Sequence, residues 1–530
     1  MNIWPARIAA RAAAAPEPKR LARSAVSEAA ESADTDAPDG GRTANADARP
    51  SGHEHRRLAV NAVAGGLANV LKIGVQLIML PLMAHLLGPA EFGLYALALP
   101  TVSFFMILAD GGLTASLARE PRESTLVWST AFWLVLPVGL ALAAIVSTWG
   151  LALAQLAREP RVSGLMALLS ISLVMIAASA LPSANLIRQG RLVVFAAADL
   201  SSTVIGASVA VALAASGLGA DSLAAQYVTY YTFRAVFLNG AGFVRPALQF
   251  KLSALADHFS TGSALLGVKL ADFSGRLIEN LLYGRAFGAA GLGLYTFANQ
   301  APRFISEAAS GPVWAALYAH ALREDERRVT ATHANLVRLL ASLVFPVAAL
   351  LSATAPEILG VILGPKWDAA STLLRILIPF YALQVVASQS GAVLLARGRG
   401  WLLFWLSLVL TCGRVGAVAI GPWIGQVGVA CGIGAVLTVF AMLMFRAPRR
   451  SNAPRLERGI VAPAVAGLAA GVVCYELARQ HGGLGWIAVC WATGALAYIG
   501  VLVLLQGKTV LNDLQAIRRL AFRRQRADLA

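Results

Sequence analysis

Long apolar runs separated by short polar segments fill the sequence after Leu58. Most runs reach about twenty residues, the length that an α-helix needs to cross about 30 Å of hydrocarbon. Because the runs are continuously apolar rather than alternating, they predict membrane helices and not a β-barrel. The pattern predicts fourteen spans, near residues 58–84, 93–117, 125–148, 163–187, 192–215, 222–242, 261–284, 291–318, 333–354, 370–396, 401–420, 426–446, 459–479 and 484–506.

The spans contain an internal repeat. Segment 85–98 recurs 200 residues later as 285–298, and segment 186–191 recurs as 394–399. Spans one to six therefore match spans seven to twelve, and an even number of spans per unit makes the two units parallel. The prediction is an all-α polytopic membrane protein with two pseudo-symmetric six-helix lobes and two additional C-terminal helices. The positions shared by both copies of the first segment are Gly88, Ala90, Gly93, Leu94, Tyr95 and Ala98.

This repeat sets the predicted domain boundaries. The N-lobe is expected at 58–250, the C-lobe at 251–450, and the two additional helices with a basic tail at 451–530. Residues 1–57 are polar and rich in Ala, Pro, Ser, Asp and Arg. They contain no apolar run long enough for a signal peptide, so they are predicted to be a disordered N-terminal tail.

Composition and charge agree with a membrane protein. Of the 530 residues, 57% are hydrophobic and 14% charged, against about a quarter charged in soluble domains. The net charge of +16 does not indicate nucleic-acid binding, because Lys and Arg collect in short connections and in the C-terminal tail. One set of loops holds sixteen basic residues and the opposite set five. The positive-inside rule then predicts that both termini are cytoplasmic.

Ionisable residues inside the predicted spans are the candidate site, because a charge in hydrocarbon normally faces a cavity or a partner. Lys72 lies in span one, 200 residues before Asp272, which belongs to a stripe of charged residues in span seven. Span eight adds Arg303 and Glu307, four residues apart on one helix face. The stripe in span seven consists of Lys269, Asp272, Arg276 and Glu279.

A plainer interpretation stays open for these charges. Asp272 with Arg276, and Arg303 with Glu307, have the spacing of ion pairs that neutralise one another within a helix. Asp110, near the inner end of span two, has the position of a gating residue or of a partner for Arg119. The four cysteines have no metal-binding spacing, and no phosphate-binding loop is complete, so no cofactor or metal is expected.

Several segments resemble polysaccharide flippases, the O-antigen and exopolysaccharide repeat-unit transporters of the multidrug/oligosaccharidyl-lipid/polysaccharide exporter superfamily. They are LGPAEFGLY at 87–95, ENLLYGR at 279–285 and PEIL at 356–359 with Gly364, and the resemblance extends over about residues 58–450. It implies a transporter of the bacterial inner membrane that moves an oligosaccharide linked to undecaprenyl diphosphate, for lipopolysaccharide or exopolysaccharide synthesis. Further expected partners are membrane lipids, a coupling proton or sodium ion, and polysaccharide polymerase or export machinery.

This resemblance gives the candidate residues roles. An anionic diphosphate requires cations, which Lys72, Lys269, Arg276 and Arg303 would supply in a low-dielectric cavity. The acidic residues Asp272, Glu279, Glu307 and Asp110 are candidates for ion coupling or gating.

Three alternatives remain at this point. A cation-coupled drug antiporter of the same fold would favour an acidic, aromatic cavity. A flippase for lipid-linked peptidoglycan precursors would be essential for growth. A membrane glycosyltransferase or polymerase would need a large external domain, and no predicted external loop exceeds about twenty residues.

Overall fold

The computed structural model describes residues 52–110, 113–118, 124–448, 456–480 and 483–527. Within these ranges it leaves undescribed the side chains at 52–64, 110, 115, 256–269, 271–272, 301, 303–309, 312, 456–458, 484 and 508–527. The chain divides into Met1–Ala59 and Val60–Ala530, and the contacts given below lie within the second unit. Most of the predicted tail, residues 1–51, lies outside the described residues.

The described residues fold into helices, turns and short connections, with no strand among them. Two very long helices, Gly52–Asp110 and Ala256–Arg323, each bend at a glycine with positive φ, Gly88 (φ 77°, ψ 171°) and Gly288 (φ 71°, ψ 177°). Only glycine adopts this backbone region without strain, which explains why both copies of the repeat carry it. The bends divide the first helix into α1 and α2 and the second into α7 and α8.

The remaining long helices follow in chain order. They are α3 (Thr125–Ala157), α4 (Arg161–Arg188), α5 (Leu192–Ala215), α6 (Ala220–Gly242), α9 (Glu326–Ala353), α10 (Asp368–Ser388, continued by Ser390–Ala396), α11 (Gly400–Ala419), α12 (Gly421–Arg446), α13 (Leu456–Ala478) and α14 (Leu484–Ala527). Short helices occupy Leu113–Leu117 and Ala355–Ile362. In the described part of the chain, fourteen long segments thus coincide with the fourteen predicted spans.

Ten helices among the described residues are long and apolar enough to cross a membrane by length and composition alone, with Gly65–Ala109 counted once despite its bend. Helix α6 and the two segments α7 and α8 are not among the ten. Polar residues such as Gln226 and Arg234 interrupt the apolar run of α6. The fold confirms the predicted all-α polytopic membrane protein.

Helix packing repeats between the two lobes. In the N-lobe α3 packs on α4, α5 packs on α6, and α4 packs on α6. The corresponding helices of the C-lobe make the same three pairs, α9 with α10, α11 with α12, and α10 with α12. The two additional helices pack as an appendage, with α13 against α9 and α14 against α13. The prediction of two pseudo-symmetric lobes plus two helices is therefore confirmed.

The lobes meet where their two bends cross. A methyl carbon placed on Gly93 would lie 1.7 Å from the carbonyl oxygen of Ala289, and one on Gly293 would lie 1.8 Å from the carbonyl oxygen of Pro89. The contact is reciprocal because the two segments are related by the pseudo-symmetry. The backbones of α2 and α8 touch here, which is possible only without side chains. Beside this crossing, Phe92 packs edge-on against Phe297 and Trp367.

Glu91 joins the bend of the N-lobe to its neighbours. Its carboxylate accepts two hydrogen bonds from the guanidinium of Arg161, at 2.6 and 2.9 Å, and one from the backbone N–H of Ala220 at 2.7 Å. Ala220 is the first residue of α6, so the carboxylate also caps that helix. The bonds to Arg161, opposed by partial burial and aided by the Ala220 N–H, hold the pKa of Glu91 below its ordinary value of 4.5.

We expect Glu91→Gln to lower the free energy of unfolding of the purified protein by about 1 kcal/mol at neutral pH, because an exposed ion pair is weak. The melting temperature should fall modestly. A group with a lowered pKa contributes stability above its unfolded pKa and loses it as the pH falls through the folded value. The difference between wild type and variant should therefore shrink below pH 4.5. Melting curves of the wild type and the variant, recorded at neutral pH and below pH 4.5, would test this. A pH-independent difference would contradict a role for the carboxylate charge.

Candidate functional site

A polar chamber lies between the two lobes. It has a volume of about 110 Å³ and is lined by residues of α2, α7, α8 and α11. Tyr95 and Ser103 of α2 form the side that belongs to the N-lobe. The chamber has room for a few water molecules but not for a sugar diphosphate, so the structure is closed to such a ligand. The polar residues that the C-lobe contributes are Arg276, Glu279, Asn280, Tyr295, Thr296, Asn299, Gln300 and Arg414.

A buried charge network forms one wall of the chamber. A guanidinium nitrogen of Arg414 on α11 donates to the Glu279 carboxylate on α7 at 2.8 Å, and the hydroxyl of Tyr295 on α8 donates to the same oxygen. The side chains of Arg414 and Glu279 are 13% and 6% exposed. The network continues on α8, where the Asn299 side chain donates to the Tyr295 carbonyl at 3.0 Å. It is therefore a shielded ion pair that holds three helices together.

The N-lobe contains a second charge network. The ammonium group of Lys72 on α1 lies 2.7 Å from the Asp199 carboxylate on α5, and Arg234 on α6 approaches the other carboxylate oxygen at 3.4 Å. The Tyr230 hydroxyl donates to Asp199 as well. Arg234 also donates to the hydroxyl of Ser179 at 3.1 Å. With two cations and one anion, this network retains a net positive charge.

The two networks use corresponding helices with opposite polarity. In the N-lobe the cation Lys72 is on α1 and the anion Asp199 is on α5. In the C-lobe the anion Glu279 is on α7, the counterpart of α1, and the cation Arg414 is on α11, the counterpart of α5. The repeat has thus kept an ion pair between the same two helices but has reversed its direction, and the C-lobe pair lies seven residues, about 10 Å, nearer its bend.

Two buried donors in the chamber have no hydrogen-bond partner among the described residues. They are Nε of Arg414 and the hydroxyl of Thr296. A buried donor without a partner costs free energy, which a ligand oxygen would recover. Arg276 also lines the chamber, with its guanidinium 5.0 Å from the centre of the Phe273 ring. The arrangement suits a ligand with several negatively charged or hydroxyl oxygens.

The structure describes three of the eight predicted site residues. Arg276 and Glu279 line the chamber, whereas Lys72 belongs to the network of the N-lobe. The side chains of the other five lie outside the described residues, so their predicted roles stay predictions. These five are Lys269, Arg303, Asp272, Glu307 and Asp110.

Sequence analysis missed the partners of the predicted residues. Asp199, Arg234 and Arg414 are ionisable residues inside predicted spans five, six and eleven. The criterion that selected Lys72 and Arg276, a charge within an apolar run, would have selected them too. They were overlooked although they satisfy it, and spacing along the chain does not reveal their pairing because each pairs with a residue on another helix.

Comparison with known proteins gives relatives over most of the chain. The succinoglycan biosynthesis transport protein ExoT of Rhizobium meliloti is 27% identical over 467 residues, covering 84% of this chain and 92% of that protein. The lipopolysaccharide biosynthesis protein WzxC of Escherichia coli is 22% identical over 390 residues, covering 71% and 79% of the two chains.

Solved structures share the fold. The lipid II flippase MurJ in an inward closed conformation matches with a TM-score of 0.67 at 12% identity, covering 84% of this chain and all of that one. An inward-facing multidrug resistance transporter of the MATE family matches with a TM-score of 0.52 at 16% identity, covering 78% and 96% of the two chains. At these identities the likeness shows the fold alone.

A protein-family model shows to which family this chain belongs. The model described as "Polysaccharide biosynthesis protein" matches residues 82–372, which is more than half of the chain and includes both bends and the Glu279 side of the chamber. The resemblance predicted from the segments near Gly88 and Glu279 is thereby confirmed. This chain belongs to the polysaccharide biosynthesis protein family, the polysaccharide flippases of the multidrug/oligosaccharidyl-lipid/polysaccharide exporter superfamily.

Proposed function

We propose that this protein moves oligosaccharide repeat units linked to undecaprenyl diphosphate across the bacterial inner membrane by alternating access. The product would serve lipopolysaccharide or exopolysaccharide synthesis, the processes named for WzxC and ExoT. The observation that carries the proposal is the chamber between the lobes. Arg276 and Arg414 line its wall, and Nε of Arg414 and the hydroxyl of Thr296 have no hydrogen-bond partner among the described residues.

The chemistry of the chamber suits a sugar diphosphate better than a cationic drug. A guanidinium group binds phosphate oxygens through two parallel hydrogen bonds, and its attraction increases where water is excluded. Among the described lining residues, Glu279 is the acid, and Arg414 already neutralises it. A cationic drug would therefore encounter the positive charge of Arg276. The described lining residues offer it no carboxylate other than Glu279, which is already paired with Arg414.

The two charge networks lie at different depths. Lys72 lies sixteen residues before the bend at Gly88, which is about 24 Å along α1. Glu279 lies nine residues before Gly288, about 14 Å along α7. We infer that an anionic head group passes from the Lys72–Arg234 region of the N-lobe to Arg276 and Arg414 as the lobes rock. The lipid tail stays in the bilayer throughout.

Directionality requires an energy source, and acidic residues are the candidates for coupling. Glu279 accepts hydrogen bonds from Arg414 and Tyr295, so a coupling ion bound at this carboxylate would compete with both donors and leave them available to phosphate oxygens. One charge crossing 100 mV is worth about 2.3 kcal/mol, so one proton or sodium ion per cycle biases transport appreciably. Asp272, Glu307 and Asp110 remain proposals for the same role.

We expect Arg276→Ala to abolish polysaccharide export while the protein accumulates normally in the membrane, because it removes a chamber cation without opening a core cavity. Export would be measured in a strain lacking the gene and complemented with each variant, with immunoblots of membrane fractions. Arg276→Lys, which keeps the charge but not the paired donors, should restore only part of the export. Export by Arg276→Ala at the wild-type level would refute the proposed role of the chamber.

Arg327→Ala is the matched control, since Arg327 is exposed near the start of α9 and distant from the chamber lining. It should export normally. The alternatives give different outcomes in the same strains. Normal polysaccharide with impaired efflux of a cationic dye would select a drug antiporter, and a growth requirement for the gene would select a peptidoglycan-precursor flippase.

A further inference from the structure

A second cavity lies at the opposite end of the N-lobe from the Gly88 bend. It has a volume of about 290 Å³ and is formed where α3 begins and where α4 and α6 end. Trp128, Asn185, Arg188 and Arg245 are among its lining residues, and no acidic side chain is among them. The loop charges predict this face of the membrane to be cytoplasmic. Neither the chamber nor the two charge networks include these residues.

The charge of this cavity favours an anion. Arg188 and Arg245 bring two guanidinium groups to its wall, and Arg188 lies 5.4 Å over the ring of Trp128. The first turn of α3, a 33-residue helix, contributes Thr125 to the lining and contains no acidic residue. The hydroxyl of Ser124 caps this helix by accepting from the Val127 N–H at 3.4 Å. The remaining N–H groups of the first turn and the helix dipole attract negative charge, and the first turn contains no carboxylate to supply it.

Trp128 provides an independent indication of a ligand. Its side chain is 4% exposed, and its indole N–H has no hydrogen-bond partner among the described residues. By contrast, the indole N–H groups of Trp133, Trp486 and Trp491 each donate to an oxygen at 2.8–3.0 Å. A buried indole normally finds such a partner, so the donor of Trp128 fits an acceptor supplied by a bound molecule.

At the corresponding helix ends of the C-lobe, a carboxylate is present where the described residues of the N-lobe have none. Arg191 donates to the Ala241 carbonyl at 2.9 Å, and Arg399 donates to the Ala447 carbonyl at 2.8 Å, so the two corners are in register. In the C-lobe, Arg397 pairs at 3.5 Å with Glu326, the first residue of α9. The carboxylate of Glu326 thus occupies the helix N-terminus of that corner. In the N-lobe the first turn of α3 offers no carboxylate for this place.

We propose that the cavity at Trp128 and Arg245 is a binding site for a phosphate ester. A phosphate group fits the cavity and supplies acceptors for guanidinium, indole and helix N-terminal donors at once. A phospholipid head group is the source that the surroundings favour. The segment after α6 exposes Phe243, Leu248 and Phe250, which would lie against acyl chains, and basic pockets between helix ends on the cytoplasmic side bind anionic lipids. The site does not depend on which substrate the chamber carries.

The test uses the full-length protein in a non-ionic detergent. Native mass spectrometry would measure the binding of phosphatidylglycerol, of phosphatidylcholine with the same acyl chains, and of inorganic phosphate. We expect phosphatidylglycerol to bind more tightly than phosphatidylcholine. Arg245→Gln and Trp128→Phe should each weaken phosphatidylglycerol binding about tenfold, because each removes a donor to a charged group. Trp128→Phe keeps the ring, and Arg245→Lys should restore binding in part.

Arg323→Gln is the matched control, because it removes an exposed guanidinium at the end of α8, in the other lobe and on the same predicted face. It should leave binding unchanged, and melting curves without lipid would show that all variants fold. If the same two substitutions weaken binding of inorganic phosphate but not of phosphatidylglycerol, the source is free phosphate. If neither ligand responds to Arg245→Gln or Trp128→Phe, the cavity is not a phosphate site.

Discussion

Arg414→Ala should destabilise the protein by about 3–5 kcal/mol and reduce polysaccharide export to background. The substitution leaves the Glu279 carboxylate, 6% exposed, without its cation. Removing one partner of a buried ion pair is costly because the remaining charge stays desolvated. The same change removes from the chamber the Nε donor that has no partner among the described residues. Melting temperature and export would be measured on the same variant.

Stability and transport can be separated with the double variant Glu279→Gln with Arg414→Gln. It removes both charges, so we expect stability to recover most of the way to wild type, because no buried charge is left alone. Export should remain low, since the guanidinium is still absent. Wild-type export by the double variant would show that the network is only structural. The exposed pair of Arg328 with Glu324 is the control, and Arg328→Ala should cost at most about 0.5 kcal/mol.

Gly93→Ala should prevent normal packing of the two lobes. A methyl group at this position would lie 1.7 Å from the Ala289 carbonyl oxygen, and the obstructing atom is backbone, so no side-chain rotation relieves the overlap. The bends must separate by more than an ångström, and we expect a loss of several kcal/mol, at the upper end of single-substitution effects. Yield of folded protein, melting temperature and export should all fall.

Because the two bends contact each other symmetrically, a matching prediction can be made for the equivalent glycine of the C-lobe. Gly293→Ala should have nearly the same effect, because its methyl group would lie 1.8 Å from the Pro89 carbonyl oxygen. The double variant should be less destabilised than the sum of the two, since one separation of the bends relieves both overlaps. Gly74→Ala on α1, with no heavy atom within 4 Å of the added carbon, should be neutral or stabilising by up to about 1 kcal/mol. A wild-type melting temperature for Gly93→Ala would contradict the crossing.

Much of the architecture could be predicted from sequence because each helix must by itself be long and apolar enough to cross the bilayer. A span must be about twenty apolar residues long wherever it lies, so the fourteen runs predicted the fourteen long segments. The repeat likewise predicted two equivalent connections between consecutive spans, and the structure shows each of them as a bend at a glycine with positive φ, Gly88 and Gly288. The bounds differ mainly at the ends, as in α14, where the predicted span ends at the non-helical residue Gln506 and the helix continues to Ala527.

The candidate site was predicted less completely. Glu279 and Arg276 were identified as charges on one helix face, and both line the chamber. Their setting was not predictable in the same way, because Arg414 is 135 residues away from Glu279 and on another helix. Lys72 was identified as a charge within a span, but its partner Asp199 is 127 residues away and on another helix. The two donors without partners in the chamber are visible only when neighbouring atoms are known.

By itself, the sequence determined the number of spans and their division into two related lobes, because the first follows from hydrocarbon thickness and the second from the internal repeat. Only the tertiary structure decided which charges meet. A helix that is apolar on most sides does not specify its rotation about its own axis, so sequence periodicity leaves open which side chains point to the lobe centre. Packing against neighbouring helices sets that rotation. In the structure Lys72 faces Asp199, Glu279 faces Arg414, and Gly93 lies against the backbone of the opposite lobe.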